Sequence, residues 1–279
     1  MEPARISRVD HAGLTFDVID SGPLDGVPVV LLHGFPQRAT SWAAVSEHLH
    51  AAGLRTYALD QRGYSPGARP LSRFAYGIDE LVADAKALVD EIGTPVHVVG
   101  HDWGSAVAWA VAAAHPADVL SLTAVSVAHP AAFMRSMVSS SQLLKSYYML
   151  VFQLPVLPER MLSRRGGLGE RILRASGMDS RMIETFRDEI VADGALRGGL
   201  GYYRSIVRSA GSFGRMVPVP TTYVWSDGDT ALVRRGADLT PQFVTGPYEL
   251  EVMAGATHWI PDQHPAELAD IVVRRVGSV

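Results

Sequence analysis

The sequence predicts an α/β fold: a mostly parallel sheet with helices on both faces and an inserted helical cap. Three observations carry that expectation. Short apolar runs such as Val29-Val30-Leu31-Leu32 and Val96-His97-Val98-Val99 alternate with longer segments of helical periodicity. One of those runs passes through Gly100-His101-Asp102-Trp103-Gly104 directly into a small-residue stretch, Ser105 to His115, that reads as a helix. The rhythm then breaks from His129 to Val217, where helical patterns follow one another without a convincing strand, and resumes at Pro218.

Taken in order, Arg5 to Val9 and Leu14 to Ile19 read as a hairpin of edge strands. After the strand Val29 to Leu32, Ser41 is the expected N-cap of a helix reaching Ala52, and Thr56 to Leu59 is the next strand. Ile78, Leu81, Val82, Ala85, Leu88, Val89 and Ile92 share one helical face, and Gly93 ends that helix. Strands follow at Val96 to Val99 and Leu122 to Val127. Beyond the insertion come strands Thr221 to Trp225 and Tyr248 to Met253, and Pro265 opens a last helix. Residues 1–128 and 218–279 are therefore expected to form the sheet domain, and 129–217 the cap.

With 279 residues, 47% of them hydrophobic, the chain suits one large domain with an insertion. The net charge of -4 favours neither nucleic acid nor an anionic membrane surface. There is no cysteine, which excludes disulfides and thiolate metal sites. No apolar h-region follows Met1-Glu2-Pro3-Ala4-Arg5 and no run approaches a membrane span, so a soluble cytoplasmic protein is expected. The sequence leaves a homodimer open.

Strand, Gly-x-nucleophile-x-Gly, helix is the layout of a nucleophile elbow. Serine is usual at its centre; here the residue is Asp102. Parallel strands bring their C-terminal ends to one edge, where ligands bind. Asp229 follows one such strand in Ser226-Asp227-Gly228-Asp229, and His258 follows another in Gly255-Ala256-Thr257-His258-Trp259. Nucleophile, acid, histidine is the chain order of the α/β-hydrolase triad. Asp227 competes with Asp229, since both lie in one loop. The backbone amides of Phe35, in His33-Gly34-Phe35-Pro36, and of Trp103 are the expected oxyanion-hole donors.

Aspartate in place of serine changes the bond that is attacked. A serine that attacked a saturated carbon would form an ether, a dead end. A carboxylate forms an alkyl ester, which a histidine-activated water then cleaves at the carbonyl carbon of Asp102. Epoxides and alkyl halides are thus the expected electrophiles. A non-catalytic binding protein on the same scaffold would keep the fold without turnover. A serine esterase would need a nucleophile elsewhere, and Ser105 already lies on the following helix.

His33–Pro36, Asp60-Gln61-Arg62-Gly63-Tyr64 and Gly100–Gly104 resemble the motifs of epoxide hydrolases of the α/β-hydrolase fold, and the resemblance runs over nearly the whole length. Haloalkane dehalogenases share the aspartate and the tryptophan after it, but more often carry Asn where this chain has Phe35. The resemblance implies two cap tyrosines that donate to the epoxide oxygen. Tyr148-Met149-Leu150-Val151-Phe152-Gln153 matches the first motif and Tyr202-Tyr203-Arg204 the second, pointing to Tyr148 and Tyr203, with Tyr147 and Tyr202 as one-residue alternatives. A phenol suits this role because it stays protonated at neutral pH yet donates to a developing alkoxide.

Two departures stand out. Val156 and Pro158 occupy positions where the family often has Gly and Ala, so this loop is expected to take another path; Ser226 replaces a common Gly in the acid loop. His33, Phe133, Phe152 and Trp259 are the candidate substrate-binding residues, and Met134, Met137, Met149, Leu150 and Val151 suggest further apolar lining. The expected partners are an apolar epoxide and water, with no metal or organic cofactor.

Overall fold

The computed structural model describes residues 4–279. Its sheet has eight strands: β1 (Arg8–His11), β2 (Leu14–Ser21), β3 (Val27–Leu32), β4 (Leu54–Leu59), β5 (Val96–His101), β6 (Val119–Val125), β7 (Thr221–Ser226) and β8 (Tyr248–Met253). They lie in the order β1-β2-β4-β3-β5-β6-β7-β8. The pairs β1–β2 and β2–β4 are antiparallel; all the others are parallel. The chain leaves β3 toward β4 on one side and toward β5 on the other. That reversal opens a crevice at the C-terminal ends of β3 and β5.

Both faces of the sheet are covered, and β3 shows how one strand serves both. Val30 and Leu32 pack with Leu81, Leu88, Val107 and Val111, from the helices Ile78–Ile92 and Trp103–Ala114. Val29 and Leu31 pack on the other face with Val45, Leu49, Leu268 and Ile271, from Ala43–Ala51 and Pro265–Val276. A strand buried on both sides reads as a continuous apolar run, which is why Val29 to Leu32 is so legible.

Between β6 and β7 the described residues form no strand. The segment consists of helices, among them Pro130–Ser139, Gln142–Lys145, Tyr147–Val151, Leu157–Ser163, Ser180–Phe186 and Leu196–Arg204. The first is capped by the His129 imidazole, which accepts the Ala131 N–H at 3.2 Å, and has Pro130 at its first turn.

Several boundaries differ from the sequence reading. β2 is not an edge strand, because β4 pairs along its other side. Ser41 does not cap a helix: it lies in the 3-10 turn Ala39–Trp42 and its hydroxyl donates to the Arg38 carbonyl at 2.9 Å. Competition from the side chain's own local hydrogen bond explains the misplaced cap. β6 spans Val119–Val125, because Ser126 adopts a left-handed φ of 68° that ends the strand. The helix after the elbow starts at Trp103, two residues ahead of Ser105. Gly93, at φ 78°, does end its helix as expected.

Candidate active site

Asp102 sits between β5 and the helix Trp103–Ala114 with φ 52° and ψ -119°, a strained conformation for a residue with a side chain. The surroundings leave no slack. A Cβ on Gly34 would stand 2.3 Å from the Asp102 Cβ, and one on Gly104 would stand 2.0 Å from the Leu32 carbonyl oxygen. Glycine at these two positions lets the β3 loop and the new helix close onto the elbow.

The Phe35 N–H donates to Asp102 Oδ1 at 2.8 Å. The Trp103 N–H heads a helix, where amides have no partner within the helix. Asp102 Oδ2 faces His258 Nε2 at 3.5 Å. On the other side of the ring, His258 Nδ1 lies 2.7 Å from Asp229 Oδ2. Asp229 Oδ1 accepts the N–H groups of Ala231 (2.7 Å) and Leu232 (3.1 Å), so the acid is held by its own loop. Asp227 points away and takes the Gly255 N–H at 2.6 Å. The geometry therefore brings together Asp102, Asp229 and His258 and leaves Asp227 outside.

Two further residues, not singled out from sequence, hold the histidine. The His258 carbonyl lies 2.9 Å from His101 Nε2 and accepts the Ser126 hydroxyl at 3.2 Å. Only His101's place between strand and nucleophile could have signalled this.

Burial alone would lower the basicity of His258. The charge of Asp229 and hydrogen bonds to Asp102 and Asp229 outweigh it and raise its pKa to about 10. Burial would raise the Asp102 pKa, but its hydrogen bond and attraction to His258 bring it below the usual value. Both shifts run in the direction that favours a carboxylate facing an imidazolium.

Opposite the triad an apolar cavity is lined by Asp102, His258 and Trp103 together with Phe133, Tyr148 and Tyr203. Tyr202 commits its hydroxyl to the Arg62 carbonyl at 2.8 Å, and Tyr147 is largely exposed. The Tyr148 and Tyr203 hydroxyls meet no protein acceptor among the described residues. Their rings stand 6.0 Å apart, centroid to centroid. Burial, reinforced by the Asp102 charge, raises both phenol pKa values.

Met134 and Met149 also line the cavity, whereas Met137, Leu150 and Val151 do not. Three of the expected substrate contacts stand behind the wall. His33 is fully buried, with its Nε2 accepting the Gln61 N–H at 3.2 Å. Trp259 donates its indole N–H to Ser176 at 3.1 Å. Phe152 packs against Phe35 and Tyr203, at 5.7 and 4.9 Å between centroids. These residues shape the site through its neighbours.

The two tyrosine motifs are knitted together. Gln153 donates to the Tyr203 carbonyl at 2.8 Å, while Arg204 donates to the Phe152 carbonyl at 3.0 Å and pairs with Glu159 at 2.8 Å. Val156, at the position where the family often has Gly, holds φ 65°, a left-handed conformation that favours glycine and strains a β-branched residue.

A sheet reversing beside an elbow, with acid and histidine on later strand ends, defines the α/β-hydrolase class, and the alpha/beta hydrolase fold family matches residues 27–265. Within that class the chain is 30% identical to epoxide hydrolase A of Mycobacterium tuberculosis over 304 residues, with 93% of each chain covered. It is 31% identical to epoxide hydrolase 3 of Xenopus tropicalis over 277 residues, covering 95% of this chain and 75% of that one. The solved structure of epoxide hydrolase A from Mycobacterium thermoresistibile superposes with a TM-score of 0.82 at 24% identity, covering 99% and 98% of the two chains. The chain belongs to the epoxide hydrolases of the α/β-hydrolase fold. Its substrates are a small-molecule epoxide and water. No helix among the described residues is long and apolar enough to cross a membrane.

Proposed function

We propose that this enzyme opens apolar epoxides through a covalent ester on Asp102, under a cap formed by 129–217. The observation that carries the reading is the split use of one carboxylate. Oδ1 is held by the Phe35 N–H, while Oδ2 is directed at His258 and the cavity.

Oδ2 attacks a ring carbon, the carbon–oxygen bond of the epoxide breaks, and Tyr148 or Tyr203 gives its proton to the alkoxide. The ester no longer carries the Asp102 charge. One of the two carboxylates that sustain the His258 proton is thereby lost, and the basicity of the ring falls. The proton that His258 releases returns to the tyrosinate left by ring opening, so the phenol is restored and the ring is neutral before hydrolysis. Neutral His258 then takes a proton from water as that water attacks Cγ of Asp102. The tetrahedral oxyanion develops on Oδ1 between the Phe35 and Trp103 amides, and Asp229 stabilises the imidazolium. Collapse breaks the ester bond, returns the proton to the leaving oxygen and frees a vicinal diol.

Among the described residues the wall contains no charged side chain besides Asp102 and His258. Uncharged substrates with apolar substituents are favoured, since a buried unpaired charge is costly. Dehalogenation by the same aspartate lacks support: among the described residues no indole besides Trp103 lines the cavity.

The test is a His258→Gln variant incubated with a terminal aryl epoxide and weighed intact. A lasting mass gain of one substrate, mapped to Asp102, is the expected result. Absence of the adduct, with wild type still forming diol, would overturn the covalent route.

A further inference from the structure

The loop that carries the catalytic acid is fastened by a side chain from the far side of the insertion. Gln142 opens the short helix Gln142–Lys145 and is 1% exposed. Its Nε2 donates to the Ala231 carbonyl at 2.7 Å and to the Ser146 hydroxyl at 2.9 Å; its Oε1 accepts the Val233 N–H at 2.9 Å. The same amide thus grips two main-chain groups that bracket Leu232. Asp229 Oδ1 accepts the N–H groups of Ala231 and Leu232 from that very turn. Ala231 and Leu232 also line the cavity.

We propose that Gln142 is a positioning residue for Asp229, coupling the placement of the helical cap to the strength of the catalytic base. The inference rests on the covalent reading above. The physical argument concerns where the loop's hydrogen bonds end. Residues 231–233 form no regular secondary structure, so no ladder or helix fixes their main chain. A buried amide that satisfies one carbonyl and one N–H two residues apart supplies that fixation, much as a neighbouring strand would. If the turn shifts, the two amides that hold Asp229 shift with it, and the Asp229–His258 contact at 2.7 Å loosens.

The consequence falls on one step. Ester formation uses Asp102 and the tyrosines. Ester hydrolysis converts neutral His258 to imidazolium, which Asp229 must stabilise. Loosening Asp229 therefore slows hydrolysis and leaves ring opening nearly untouched.

The test compares wild type with Gln142→Met, which keeps the shape and removes the hydrogen bonds, by rapid-quench mass spectrometry of a single turnover. Decay of the Asp102 ester is expected to slow by about tenfold or more, as misplacement of a catalytic group does. Its formation should change by less than about threefold, so kcat and KM fall together and ester accumulates in the steady state. Ser146→Ala, which removes a partner of the amide and leaves the loop contacts, should give the same pattern more weakly. It serves if the first variant does not fold. A merely structural role predicts lower kcat at constant KM with no accumulation; a change of cavity shape predicts a raised KM. Either result, or unaltered decay in both variants, would overturn the proposal. If His258→Gln forms the adduct while these variants do not accumulate it, this inference fails and the covalent reading stands.

Discussion

The two halves of the site are built by different means. On the sheet edge, directional hydrogen bonds fix each candidate catalytic group: Asp102 by the elbow and the Phe35 N–H, Asp229 by two amides, and His258 by the Asp229 carboxylate and by the groups on its carbonyl. In the helical insertion, Tyr148 and Tyr203 are placed by aromatic packing. Phe152 stands 5.5 Å from one ring and 4.9 Å from the other, and Trp103 stands 5.1 Å from Tyr203. In the proposed reaction the triad half is preorganised for charge that appears at fixed points. The tyrosine half is a packed wall with two polar tips, suited to substituents of varied shape. Directional contacts fix atoms, whereas aromatic contacts fix surfaces.

If that division holds, damage on the sheet edge costs far more than damage in the wall. Asp229→Asn should lower kcat by about 10³- to 10⁴-fold, as loss of a histidine-orienting acid does in comparable triads. Stopped turnovers of this variant should contain ester on Asp102. Single Tyr148→Phe and Tyr203→Phe variants should lose about tenfold to a hundredfold each, because the other phenol still donates, and the double variant about a thousandfold. Equal losses from one tyrosine and from Asp229 would break the comparison.

Acid should separate the halves as well. Burial holds His33, His97, His101 and His129 at pKa values of about 4, against an ordinary 6.5; the first three lie on or beside β3 and β5, and His129 stands at the start of the insertion. Between these pH values the unfolded chain binds protons that the folded chain refuses, so stability falls as pH drops from about 6.5 toward 4. His258 acts oppositely: its pKa of about 10 contributes stability that is complete below 6.5 and lost as pH rises through 10. Thermal melts followed by tryptophan fluorescence and hydrogen exchange should show protection lost from β3, β5 and β6 in that acid window. Unchanged stability down to pH 4 would contradict the burial argument.

The smallest expected effect lies in the insertion. Val156→Gly should relieve its left-handed backbone and raise stability by about 1 kcal/mol, with activity retained. A lower Tm would mean that the valine side chain packs better than the strain costs.

How much of this was legible follows the same division. That Asp102, Asp229 and His258 would meet could be read because the elbow needs glycine at fixed spacing and because parallel strands deliver their ends to one edge. Tyr148 and Tyr203 were legible only through a resemblance, since tyrosines in a helical run look like packing. Their hydroxyls separate them from Tyr202 only in three dimensions, where the Arg62 carbonyl takes the Tyr202 hydroxyl and no acceptor among the described residues takes the other two. His33 and Trp259 looked like contacts because they adjoin reactive segments. Burial turned them inward, a matter of tertiary packing that a motif does not encode. Ser41 misled because a capping residue also satisfies a local turn. Gln142 gave no signal at all: it follows Ser139-Ser140-Ser141 in a polar run without periodicity, and its two loop partners lie about ninety positions away in the sequence.

The central claim is that the oxygen joined to the epoxide carbon comes from Asp102 and is replaced from water. A single turnover in H₂¹⁸O, with enzyme in excess, tests it directly. The account predicts an unlabelled diol and ¹⁸O in the peptide carrying Asp102. Label in the diol after the first turnover, with none in that peptide, would mean that water attacks the epoxide directly and would contradict the account.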